Sequence, residues 1–232
     1  MPRALKISAL IACVVFIASS WALMRLAQVR AQADAHERGP AGVGDSGLLD
    51  MPASDEPALF VPEFSLTDQS GKPFTRDDLK GRITIVGFVF TNCPFVCPTL
   101  TEKMHGLSIA LKNEPVRFLS ISVDPEHDTP EALAAFAKLH DADTSRWTFL
   151  TGDKAQINAI LTDGLKFAST PDPANPITLP DGSKMDNIVH PSWFVLLGPD
   201  AEVLSLYRPS DEMNMQVLLD DVRRLAKDLP KP

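Results

Sequence analysis

An α/β fold, a mixed central sheet flanked by helices behind an N-terminal transmembrane helix, is predicted by three features of the sequence. The first is the stretch Ile83 to Met104, where a strand-like run gives way to two cysteines and then to a helical repeat. The second is the alternation of short β-branched runs with amphipathic helical segments through the middle of the chain. The third is the uncharged apolar run from Ile7 to Met24. Within the first stretch, Ile83 to Phe90 is apolar and rich in β-branched and aromatic residues, as a buried strand is. Cys93 and Cys97 follow, each before a proline, and Leu100, Met104, Leu107 and Leu111 then recur at helical spacing. A strand thus delivers two thiols to the mouth of a helix. Pro98 suits the first helical position, which puts Cys97 at or near the N-cap and Cys93 on the preceding turn. There the positive end of the helix dipole favours thiolate over thiol.

The N-terminal run is about eighteen residues long, near the lower limit for a spanning helix. Arg3 and Lys6 precede it and Arg25 and Arg30 follow, so charge does not set its orientation. A cleaved signal segment, with Ala31-Gln32-Ala33 as the cleavage site, is one alternative. A lipoprotein box at Leu10-Ile11-Ala12-Cys13 is the other, although apolar residues continue past Cys13. No Arg-rich presequence precedes the run, which favours a bacterial over a mitochondrial setting. The organisation expected is a membrane anchor or signal segment over 1–27, a flexible linker over 28–57 and a globular domain over 58–232. The linker is rich in Ala, Gly, Asp and Pro and has no apolar period. A net charge of −8 argues against nucleic acid and against a basic membrane patch. With only 3 cysteines there is no disulfide framework. A single close pair at a strand–helix junction instead suggests redox or metal chemistry.

Further elements follow in order. Phe64 to Thr67 and Pro73 to Thr75 flank a glycine turn and read as a hairpin. Arg76 to Lys80 suits one helical turn closed by Gly81. Val116 to Val123 is a second buried strand, ended by Asp124-Pro125. Thr129 caps a helix with Pro130 at its first position, and Leu133, Phe136 and Ala137 supply its apolar stripe. Trp147 to Leu150 is a short strand, and Asp153 starts a helix that ends by Gly164. Thr170 to Asn187 holds several prolines and no period, and is predicted to be a long loop. Trp193 to Leu197 and Val203 to Tyr207 form a hairpin around Gly198-Pro199-Asp200. Met213 to Leu229 is an amphipathic helix. A strand that ends in cysteines at a helix N-terminus, followed by a right-handed crossover, is a thioredoxin-like plan. Its site lies at the carboxyl end of the central parallel strands.

The C-x-x-x-C spacing is one residue longer than that of thioredoxin-type reductases. The two thiols can form a disulfide, or open as a two-sulfur clamp. Soft thiolates select Cu(I), with zinc a weaker fit because a structural zinc site needs four ligands. A third ligand is then required, and His190 stands at the junction that this plan sets beside the cysteine helix. His36 falls in the linker, and His105 and His140 lie on helices away from the mouth. His127, near Asp124, is a weaker candidate. Met104, Met213 and Met215 read as packing residues. Met185 is the one methionine kept in view. Two readings from different classes stay open: a copper-binding protein that needs His190, and a thiol-disulfide reductase that does not. In the second, Cys93 attacks and Cys97 resolves.

The stretch G-F-V-F-T-N-C-P-F-V-C-P-T-L-T-E-K-M resembles the signature of the Sco/SenC family. Ser122 to Pro130, S-V-D-P-E-H-D-T-P, is similar to that family's second block. His190 before a short strand and a G-P-D turn is similar to its third. The resemblance implies a thioredoxin-like domain that binds Cu(I) or Cu(II) through Cys93, Cys97 and His190. It also implies a role in assembling the CuA centre of cytochrome c oxidase. The partners it suggests are the CuA-bearing oxidase subunit, with other copper chaperones or thiol reductants upstream. An external CuA acceptor needs a tethered donor, so the expected location is the bacterial inner membrane with the globular domain in the periplasm. One departure stands out. The family usually has D-H-S or D-H-T where this chain has Val189-His190-Pro191-Ser192. Pro191 falls at or beside the place where thioredoxin-type reductases carry a cis-proline, and an X-Pro bond makes that geometry available.

Overall fold

The computed structural model describes residues 59–229 apart from residues 95 and 180. The expected membrane segment and linker, and Ala58, Cys13 and His36 with them, lie outside the described residues. Among the described residues no helix is long and apolar enough to cross a membrane.

A seven-stranded sheet in the order β2-β1-β5-β4-β3-β8-β9 forms the centre of the domain. Its strands are β1 (Ser65–Asp68), β2 (Pro73–Thr75), β3 (Ile83–Val89), β4 (Val116–Ser122), β5 (Trp147–Thr151), β8 (Phe194–Leu197) and β9 (Val203–Tyr207). The middle three, β3, β4 and β5, run parallel. β1 joins β5 antiparallel on one side, and β8 and β9 join β3 antiparallel on the other. The sheet is therefore mixed, as expected. All seven residues of β3 are buried, which is why its sequence is a continuous apolar run rather than an alternating one.

Two apolar layers cover the sheet. Against one face pack α1 (Val96–Ala110), α2 (Pro130–Leu139) and α4 (Glu212–Leu225), with Met104, Leu133, Phe136 and Leu218 meeting Ile83, Ile85 and Phe118. Gly87 belongs to this face. A Cβ there would lie 2.9 Å from Met104 Cε and 3.3 Å from the Phe194 ring, so glycine leaves room for both side chains on the strand. Against the other face lies α3 (Lys154–Asn158), which runs on into a π-helical turn at Ala159–Gly164. Ile157, Ile160 and Leu161 from this segment pack with Leu66, Leu79, Val86 and Leu119. The caps follow the sequence. Thr129 accepts from Ala132 N–H, Asp153 from Gln156 N–H, and Gly81 closes its turn at φ 74°.

Two expectations are corrected. Thr170 to Asn187 is not a loop. It forms an antiparallel ribbon of β6 (Thr170–Thr178) and β7 (Lys184–Val189), a two-stranded sheet of its own. Its prolines are tolerated because most of β6 is exposed and its outer edge needs no donor, and the register shifts between Asp172 and Ile177. The second correction is that α1 starts at Val96, so Cys97 lies within its first turn and Pro98 follows inside it. A first-turn proline removes only an N–H that has no partner in the helix.

Candidate metal centre

Cys93 sits on the turn between β3 and α1, with its N–H donating to Phe90 C=O at 3.2 Å. Cys97 points from the first turn of α1 into the layer formed by Val86, Phe88 and Phe90. His190 arrives from the other direction, at the end of β7 and four residues ahead of β8. Because β8 is antiparallel to β3, its start lies at the end of β3. Carrying that register past Val86 sets His190 level with the turn at Thr91. His190, distant in sequence, is thereby brought to the two cysteines at the carboxyl end of the parallel strands, where the thioredoxin-like plan puts a site.

The ligand atoms of Cys93, Cys97 and His190 all lie within 4.8 Å of one another, and such a group could hold a metal ion. Within the group, Cys97 Sγ and His190 Nε2 lie 3.2 Å apart. Metal–sulfur and metal–nitrogen bonds of about 2.0–2.3 Å put the ligand atoms of a three-coordinate ion roughly 3.5–4 Å apart. Small side-chain shifts therefore separate this cluster from a coordination geometry. All three residues are buried: Cys93 is 8% exposed, Cys97 1% and His190 8%.

His190 is oriented by its surroundings. Its Nδ1 lies 3.2 Å from the Pro191 carbonyl, which can only accept, so the proton belongs on Nδ1. In the neutral ring this leaves the Nε2 lone pair facing Cys97. A metal-ligating histidine is usually held in this way by a partner on its other nitrogen. Phe90 packs edge-on against the ring at 5.7 Å between centroids. No cis peptide bond occurs among the described residues, so the cis geometry considered for Pro191 is not adopted. Pro191 instead leads into β8 and supplies the carbonyl that fixes the imidazole.

The expected thiolate environment is not found at Cys97. The Cys97 thiol is pushed up, first by its hydrogen bond with Cys93, then by burial and by the charge of Cys93. A backbone hydrogen bond from Phe90 pulls the other way but does not prevail. Two thiols buried together resist a second negative charge more strongly than one helix end can stabilise it. The pair thus keeps a proton until metal binding or disulfide formation releases it.

The remaining candidates stay apart from this cluster. His105 Nδ1 donates to the His140 carbonyl at 2.9 Å, and the two occupy the far portion of α1 and the end of α2. His127 pairs with Asp124 at 2.9 Å, which raises the imidazole above its ordinary value. Met104 and Met215 are core residues, Met213 is exposed, and Met185 packs on the core beneath the ribbon. Sequence reasoning missed Asp128. It is fully buried and accepts from Thr91 and Ser122, and burial raises its carboxyl despite those donors. Its one signal was its place in the S-V-D-P-E-H-D-T-P block.

Comparison with known proteins agrees with this architecture. The family model described as SCO1/SenC matches residues 52–227. A SCO1 protein homolog from Bacillus subtilis is 34% identical over 166 residues, covering 70% of this chain and 81% of the relative. Other curated relatives, from Rickettsia felis and Saccharomyces cerevisiae, match over 106 and 157 residues, so that the chain spans about half of each (50% and 48%). The crystal structure of a SCO1/SenC family lipoprotein from Bacillus anthracis superposes with a TM-score of 0.63 at 32% identity, over 72% of this chain and 95% of that one. Bradyrhizobium japonicum ScoI, solved with copper bound, superposes with a TM-score of 0.55 at 26% identity, over 72% and 99%. With its thioredoxin-like sheet and its two sequence blocks at the mouth of α1, the chain belongs to the SCO1/SenC family.

Proposed function

We propose that this protein is a membrane-tethered copper carrier that holds the ion through Cys93, Cys97 and His190 and delivers it to the CuA centre of cytochrome c oxidase. The observation that carries the reading is the convergence of two buried thiols and one buried, oriented imidazole within 4.8 Å of one another. Two sulfurs and one nitrogen suit Cu(I), and the imidazole keeps Cu(II) within reach. The copper-bound B. japonicum relative supports the choice of metal. A structure of another relative, described as belonging to the Sco family of cytochrome c oxidase assembly proteins, supports the acceptor. Transfer proceeds by ligand exchange. An incoming thiolate replaces one protein ligand at a time, so copper is never left bare. The location that fits this role is the bacterial inner membrane with the domain in the periplasm. A reporter fused after Pro232 should be active only when exported.

The second reading, a thiol-disulfide reductase that keeps the acceptor's cysteines reduced, is favoured by the greater exposure of Cys93 over Cys97. Cys93 then attacks and Cys97 resolves the mixed disulfide. The test is to load the full chain with copper and count its sulfur and nitrogen neighbours by X-ray absorption. Oxidase CuA content is then measured in cells carrying His190→Ala at limiting copper. Two sulfurs and one nitrogen, with CuA lost in that variant, support the carrier. Normal CuA with His190→Ala sinks it and leaves the reductase.

A further inference from the structure

We propose that Asp128 and Thr91 form a clamp that sets the position of Cys93 relative to Cys97 and His190. Both are positioning residues; neither lies in the metal-ligand cluster. The Asp128 carboxylate is 0% exposed, yet no cation is paired with it among the described residues. It is satisfied instead by donors from two segments. Thr91 N–H approaches both carboxylate oxygens, at 3.1 and 3.2 Å, and Thr91 Oγ1–H donates to Oδ1 at 2.6 Å. Ser122 Oγ–H, at the end of β4, donates to Oδ2. Ser122 Oγ in turn accepts from Asp124 N–H at 3.0 Å, and Asp128 N–H donates to the Asp124 carbonyl at 2.9 Å. The carboxylate therefore ties the turn after β3 to the end of β4 and to the entry of α2.

Thr91 stands two residues before Cys93, where β3 has ended and no sheet partner fixes the chain. A buried carboxylate that accepts several hydrogen bonds holds such a turn far more firmly than a neutral acceptor, and losing one of its donors exposes an uncompensated demand. Copper binding and disulfide formation share one geometric need, the Cys93 sulfur close to Cys97. Both should weaken together when the clamp is opened. The functional meaning rests on the copper reading above, whereas the clamp itself can be tested without copper.

The test uses the full chain with Thr91→Val, Thr91→Ser and Asp128→Asn. Valine keeps the shape of threonine and removes only the hydroxyl donor; serine keeps the donor. Disulfide stability is read by equilibration with glutathione, in which the protein S–S bond becomes two thiols as two glutathione thiols become one glutathione disulfide. Cu(I) affinity is read by competition with a chromogenic chelator, and far-UV circular dichroism checks the fold. Thr91→Val should lower both disulfide stability and Cu(I) affinity about tenfold, by lost preorganisation. Thr91→Ser should stay within about twofold of wild type, and Asp128→Asn should follow Thr91→Val. If Asp128→Asn does not fold, the valine and serine pair decides alone. Disulfide stability within twofold of wild type in Thr91→Val overturns the clamp. If wild type fails to hold Cu(I) while Thr91→Val still loses disulfide stability, the copper reading falls and the clamp stands. If wild type holds Cu(I) and Thr91→Val matches it on both measures, the clamp falls and the copper reading stands.

Discussion

The site is assembled from two unlike regions. β3 is buried along its whole length, and the turn and helix that follow it carry both cysteines within a few residues of each other. The β6–β7 ribbon pairs only with itself, is largely exposed, and brings His190 from almost a hundred residues away, as the 93-residue separation from Cys97 records. Ile177, Met185 and Ile188 are what seat the ribbon on the core. Under the copper reading proposed above, the difference teaches how a buried three-ligand site would release its ion. Its sulfur half is fixed by the packing of the whole domain. Its nitrogen half hangs on a smaller, separately paired element, and is the half more easily moved.

The largest expected effect comes from breaking the rigid half. Cys93→Ser or Cys97→Ser should lower Cu(I) affinity by more than about a hundredfold, beyond the range seen when a group merely supporting a ligand is lost. Each should also abolish the internal disulfide. Chelator competition and thiol trapping measure the two. A serine variant that holds Cu(I) as wild type does would remove the cysteines from the site.

Breaking the other half should split the two chemistries. His190→Ala should weaken Cu(I) binding by more than the roughly tenfold that losing a supporting group costs, though by less than either serine variant, while leaving disulfide stability nearly unchanged. The imidazole contacts Cys97, whereas Cys93 is carried by the turn after β3, where its N–H donates to the Phe90 carbonyl. An equal loss of both would mean that the ribbon positions the thiols as well, and the contrast between the halves would vanish.

The two halves also differed in how legible they were. The cysteine junction could be read because periodicity switches there from a continuous strand run to helical spacing, and β3, α1 and the mixed sheet all formed as expected. The ribbon could not, because Pro171, Pro173 and Pro176 are loop signals by local rules and only the absence of an outer partner makes them acceptable in a strand. His190 was found from topology, through its place ahead of β8, and not from any local pattern. The thiol environment was misjudged because a helix terminus is a sequence feature, while the mutual burial of two sulfurs is a tertiary one.

That misjudgement yields a pH prediction. Cys97 is pushed up, so copper must displace its proton at neutral pH. Apparent Cu(I) affinity should then rise with pH, by about tenfold per unit for each proton displaced, between pH 6 and 8. The expectation from the helix dipole alone is a flat profile, because the thiolates would already be formed. Competition titrations at several pH values distinguish the two, and a flat profile would restore the helix end as the dominant influence.

The smallest effect belongs to His127, which lies on the rigid side but outside the cluster. Its imidazole is raised by the hydrogen bond to the buried Asp124 carboxylate, against a weaker opposing pull from burial. A histidine whose folded value is raised contributes stability that is fully present below its unfolded value of about 6.5. The contribution fades as pH rises through the folded value. The His127 side chain is 36% exposed, so solvent screening discounts the pair to a few tenths of a kcal/mol, about the range of surface ion pairs. His127→Ala should therefore lower the denaturant midpoint slightly at pH 5.5 and less at pH 9. Cu(I) affinity should be unchanged at both. A larger loss at pH 9 than at pH 5.5 would reverse the assigned sign. Loss of copper in this variant would show that the site extends beyond Cys93, Cys97 and His190 toward the Asp124 turn.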